Sequence, residues 1–106
     1  MRKTIPFALV ILTGLSAGAL AANQMVHQQG RVFSSESVTI KKGDALTFVN
    51  DDSIPHNILS TTSGNEFNLG SQPPGMSTDV TFKEAGDVQV ICAIHPRMKM
   101  MVKVTD

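Results

Sequence analysis

The sequence predicts an all-β domain built as an antiparallel β-sandwich, and three observations carry that expectation. Short apolar segments alternate with polar residues at a period of two. Turn-forming residues recur between these segments, and no stretch shows the periodicity of an amphipathic helix. Val38-Thr39-Ile40 and Leu46-Thr47-Phe48 both alternate, and Lys42-Gly43-Asp44 between them has hairpin-turn chemistry. Val80-Thr81-Phe82 alternates next; Glu84-Ala85-Gly86-Asp87 turns, and Val88-Gln89-Val90-Ile91-Cys92 reads as a strand. The last strand puts Met100, Val102 and Val104 on one face. Weaker strand signals lie at Val26 to Phe33 and Asn57 to Ser60. Residues 61–77, with Gly64, Gly70, Pro73, Pro74 and Gly75, read as a long surface connection with a short strand at Phe67 to Leu69.

The first residues have a different character. Met1-Arg2-Lys3 is basic, Ile5 to Leu20 is mainly apolar, and Ala19-Leu20-Ala21 supplies a small-x-small cleavage pattern. The reading is a signal peptide at 1–21 and a single exported domain at 22–106. An uncleaved membrane anchor is the alternative, disfavoured because the apolar stretch is shorter than the ~20 residues that span a bilayer comfortably. Arg2 and Lys3 fall in the leader, so seven of the nine basic residues remain in the domain against nine acidic ones. The domain has no basic patch with interleaved aromatics, and the chain has no Trp or Tyr, so nucleic acid is not an expected partner.

A small exported domain usually gains from disulfides, yet Cys92 is the only cysteine. Its neighbours give it a use. Cys92-Ala93-Ile94-His95-Pro96-Arg97-Met98 sets a thiolate, an imidazole and a thioether within seven residues, after a strand and across a turn stiffened by Pro96. A second loop, Asp51 to His56, follows the strand ending at Asn50 and offers another imidazole. Two imidazoles, a thiolate and a weak thioether suit copper in both oxidation states, whereas zinc rarely takes methionine. The metal ligands read from the sequence are therefore His56, Cys92, His95 and Met98, with Met100 as the alternative to Met98. His27 reads as a surface residue, and Met25 and Met76 as packing residues.

These motifs resemble those of the cupredoxins, the small blue copper proteins, over nearly all of residues 22–106. Within that family the Cys-x-x-His-Pro-x-Met loop at Cys92 to Met98 is similar to the amicyanin type. Leu46 to Asn50 followed by Pro55-His56-Asn57 resembles the upstream half of the amicyanin site, while Met100 would give the longer His-x-x-x-x-Met spacing of plastocyanin. The resemblance implies a Greek-key sandwich of about seven or eight strands with one type 1 copper ion. His56, Cys92 and His95 would then be the strong ligands and the methionine a long axial one. Asn57 would tie the two ligand loops together and aim its amide at the Cys92 sulfur.

The functional expectation is a periplasmic one-electron carrier, monomeric and not an enzyme, with no membrane contact in its mature form. Its partners would be transient redox proteins, such as a c-type cytochrome or a periplasmic dehydrogenase. They would dock at His95 through Pro96, Arg97 and an apolar rim. The competing expectation is a copper chaperone, buffer or sensor, for which the Met98-Lys99-Met100-Met101 cluster speaks.

Overall fold

The structure is a computed structural model that describes residues 23–106; the expected leader at 1–21 lies outside the described residues. The described chain forms nine strands: β1 Gln24–Gln29, β2 Val32–Phe33, β3 Ser37–Lys41, β4 Ala45–Asn50, β5 Ile58–Ser60, β6 Phe67–Asn68, β7 Ser77–Thr81, β8 Gly86–Cys92 and β9 Lys99–Thr105. They make two sheets, one ordered β2-β1-β4-β7 and the other β3-β9-β8-β5-β6. The expected sandwich is present, with nine described strands against the seven or eight anticipated.

Its pairing is mixed rather than wholly antiparallel. β1 runs parallel to β4, and β3 runs parallel to β9. The Lys42-Gly43-Asp44 turn explains the second case, because it is not a hairpin. It carries the chain from the edge of one sheet into the middle of the other, so β3 and β4 never pair. The crossing is tied on both sides: Lys42 N donates to Thr105 O at 2.7 Å and Gly43 N to Phe82 O at 2.8 Å. Asp44 closes the turn by accepting the Lys41 N–H at 3.0 Å.

The single strand expected over Val26 to Phe33 is instead a hairpin, β1 and β2, turning at Gly30-Arg31. Both turn residues have positive φ, 66° and 60°, which matches the right-handed twist of the flanking strands. Such a φ suits glycine and is uncommon for arginine.

Period-two alternation holds the core. Val88, Val90 and Cys92 of β8 face inward with no exposure, against Met100, Val102 and Val104 of β9. Leu46 and Phe48 of β4 and Val26 of β1 meet them from the opposite sheet. Phe33, Phe48, Phe67 and Phe82 form a chain of ring contacts between the layers, with neighbouring centroids 5.9–6.3 Å apart. Met25 and Met76 are not packing residues: they are 60% and 46% exposed. Met25 has the parity opposite to Val26 on β1, and Met76 lies in a loop.

Candidate metal centre

β8 delivers Cys92 to one end of the sandwich as the last inward residue of the strand, fully buried. The next residues fold back on themselves. Met98 N donates to His95 O at 2.8 Å, and Cys92 N donates to Met98 O at 3.0 Å, which closes residues 92–98 into a compact loop. Met98 is 2% exposed within that loop. Met100 is 3% exposed but sits on β9 opposite Val90, in phase with Val102 and Val104. His95 is half-buried, while Ile94, Pro96 and Arg97 are exposed.

His56 arrives from the connection between β4 and β5 and is completely buried. Its backbone pairs with Gln72 in both directions, N to O at 3.1 Å and 2.7 Å. Its ring is oriented by a group that sequence reasoning did not single out. Nε2 lies 2.7 Å from a carboxylate oxygen of Asp52, four residues earlier in the same loop. With Nε2–H donated there, Nδ1 keeps its lone pair and is the nitrogen left for an ion. That Nδ1 faces the Cys92 sulfur at 3.6 Å. The His56 and His95 rings stand edge to face with centroids 5.4 Å apart.

Asp52 does more than orient one ring. Its carboxylate also accepts the N–H of Gly30 at 2.6 Å and of Arg31 at 3.1 Å, pinning the β1–β2 turn to the His56 loop. Burial pushes the Asp52 carboxyl up, but the bonds from His56, Arg31 and Gly30 outweigh it and hold the carboxyl below its usual 3.8.

Buried amides brace the loop from beneath. Asn50 donates through Nδ2 to Ile54 O and Gln72 O, both at 2.9 Å, and accepts the Asp52 N–H at 2.9 Å. Gln72 donates to Phe48 O and Met76 O and accepts from the Gln28 amide at 2.9 Å. A loop whose backbone groups are satisfied by buried side chains has little freedom to move.

Asn57 behaves largely as the motif suggested. Its backbone N–H points at the Cys92 sulfur, N to Sγ 3.3 Å, and its carbonyl accepts the Ala93 N–H at 2.8 Å, tying the two loops together. Its side chain bonds Asn68 at 2.8 Å and so holds β6 rather than the Cys92 loop. His27 is a surface residue, with Nδ1 2.6 Å from Asp51.

Among the described residues no three His, Cys, Asp or Glu side chains are gathered into a ready cage. The convergence is pairwise, with His56 as the shared member between Cys92 and His95. The donor chemistry fits copper: a lone buried thiol receiving an amide N–H, a histidine locked to present Nδ1, and a buried thioether on the same short loop.

Comparison with known proteins agrees with this chemistry. Residues 21–105 match the family model of copper binding proteins of the plastocyanin/azurin family. The methylamine utilization protein MauL of Methylorubrum extorquens is 43% identical over 61 residues, 57% of this chain and 54% of MauL, so the match spans about half of that relative. Plastocyanin A/B of Petroselinum crispum is 33% identical over 72% of this chain and 88% of its own length. Among solved structures, a purple cupredoxin from Nitrosopumilus maritimus superposes with a TM-score of 0.70 at 26% identity, over 78% of this chain and 100% of its own.

Proposed function

The chain belongs to the plastocyanin/azurin family of copper-binding proteins, and on that premise we propose that it is a periplasmic one-electron carrier with a single type 1 copper. The ligands in this reading are Nδ1 of His56, the Cys92 thiolate, His95 and Met98. The observation that carries it is the preorganised His56–Cys92 pair: both side chains are buried, and each is fixed by a bond to a group that is not a ligand. Copper bound there supplies one-electron redox chemistry.

The protein's own residues make such chemistry fast by not moving. Asp52, Asn50 and Gln72 hold the His56 loop in one conformation, and the Met98–Cys92 and Met98–His95 backbone bonds hold the other. The Asn57 N–H favours the thiolate over the thiol by donating to it. Met98 is favoured over Met100 because Met100 lies on a core strand in register with Val90. The same placement removes Met100 from any exposed thioether cluster, which weakens the copper-handling alternative. His95, half-buried at the rim, is the ligand nearest solvent and serves as the point of electron entry and exit.

The test is the optical and EPR spectrum of the protein loaded with one equivalent of Cu(II). An intense thiolate-to-copper absorption is expected, lost in Cys92→Ser and strongly perturbed in His56→Ala. A colourless one-to-one complex of the intact protein rejects the thiolate assignment.

A further inference from the structure

The end of the sandwich that carries His95 is not a bare apolar surface. A shallow depression there is lined by Arg31, Ile94, His95, Pro96, Arg97 and Met98. Beside it, Val32 and Lys99 extend the same surface around Arg97. Ile94 is 50% exposed and Val32 59%, two of the four large hydrophobic residues that the described chain leaves in solvent. Arg31 and Arg97 are the only arginines beyond residue 22. One comes from the β1–β2 turn and the other from the Cys92–Met98 loop, yet both border one depression in a domain whose acidic residues outnumber its basic ones.

The carboxylates of the neighbouring loop are turned to other donors rather than to the two guanidinium groups. Asp52 is turned inward onto His56, Gly30 and Arg31 N–H, and Asp51 is paired with His27. Glu36 lines the adjoining depression with Arg97 and Lys99, not the one that holds His95. Arg31 also holds a backbone conformation that arginine rarely adopts, φ 60°, with its N–H fixed on the carboxylate that orients His56. Its guanidinium therefore projects from a turn anchored directly to the metal-site loop.

We propose that this face docks an acidic surface of a redox protein, with Arg31 and Arg97 reading its carboxylates from the depression they share with Ile94 and His95. The proposal rests on the carrier reading and names the partner's chemistry. Guanidinium groups bind carboxylates in a forked geometry that ammonium groups lack. A small apolar centre with a charged rim suits a short-lived complex, since the charge speeds encounter and the limited contact permits release.

The experiment uses the copper-loaded protein with two probes of opposite charge, hexacyanoferrate(III) and tris(phenanthroline)cobalt(III), as oxidants of the reduced form. A second arm follows backbone amide shifts of the reduced protein during titration with an oligoglutamate peptide. Arg31→Gly removes the charge and suits the positive φ, and Arg97→Glu reverses a charge on an exposed residue, so neither variant threatens the fold. In the wild type, the hexacyanoferrate rate is expected to fall about threefold or more as salt rises from low to physiological levels, and the cobalt rate to rise. The double variant should reverse both trends with its absorption spectrum unchanged. The peptide should shift amides around Arg31, Ile94, Arg97 and Lys99, and the shifts should vanish in the double variant. Rates indifferent to the substitutions, or peptide shifts centred on Lys41, Lys42 and Lys83, overturn the docking proposal while leaving the carrier intact. Failure of either probe to exchange electrons with a properly coloured protein overturns the carrier reading and the docking proposal together.

Discussion

Removing the carboxylate of Asp52 separates its two roles, bracing the fold and orienting a ligand. In Asp52→Ala three donors lose their acceptor at once: His56 Nε2, Gly30 N and Arg31 N. A hydrogen bond to a charged group contributes about 1.5–3 kcal/mol, but the Asp52 side chain keeps 12% exposure and water can replace part of what is lost. A net cost of about 2–4 kcal/mol to the metal-free protein is expected, with about half of that for Asp52→Asn, which keeps an acceptor oxygen but not the charge. The assay is guanidinium unfolding without metal, where a shifted midpoint at constant slope reads stability alone. Copper affinity should fall about 10–100-fold, because the His56 ring loses the partner that fixes its tautomer. The pH dependence has a definite sign. The Asp52 carboxyl sits below 3.8 in the folded protein, so its contribution is complete above that value and is lost as pH falls through the lower folded one. The stability gap between wild type and Asp52→Asn should therefore stay level from neutrality down to about pH 4 and narrow below it. An Asp52→Ala protein within about 0.5 kcal/mol of wild type, with unchanged copper affinity, would refute the bracing argument.

Met98→Gln should move the reduction potential and the EPR spectrum with little loss of stability. Met100→Gln buries an amide opposite Val90 and should cost about 2–4 kcal/mol while sparing the spectrum; the reverse pattern transfers the axial role to Met100. Asn65, 7% exposed, donates to Glu84 O and accepts the N–H groups of Lys83 and Glu84. Asn65→Ala should lower the unfolding midpoint by about 2–3 kcal/mol with the copper spectrum untouched, and a spectral change would show that strain there reaches the metal centre.

The residues of the candidate centre stand out in the sequence more plainly than the pairing of the strands around it. The Cys92–Met98 cassette and Pro55-His56-Asn57 are local patterns whose chemistry stands in the residue types themselves. Strands such as β8 and β9 were equally plain, because alternation records which side faces the core. Pairing partners are a different kind of information. Alternation looks the same whether β3 joins β4 through a hairpin or β9 across the whole domain, and the turn residues 42–44 serve both. Asp52 was hidden for a related reason. Asp51 and Asp52 are indistinguishable in sequence, and only the loop's path turns one inward to His56 and the other outward to His27. The buried amides Gln28, Asn50 and Gln72 run against composition, which places such side chains in solvent; they are buried because an irregular loop packed into the interior needs donors and acceptors that strands would otherwise supply.

The position of β9 has a consequence for how the protein is made. It is the last of the described strands, yet it lies between β3 and β8, and its partner β3 precedes it by some sixty residues of sequence. β8, β5 and β6 can pair without it, but β3 joins their sheet only through residues 99–105, and closing a loop of that length is slow. The Cys92–Met98 turn is anchored at one end by β8 and at the other by β9, so it acquires its shape only at the same moment. A nascent chain halted before Lys99 carries Cys92 as an open, unassembled thiol.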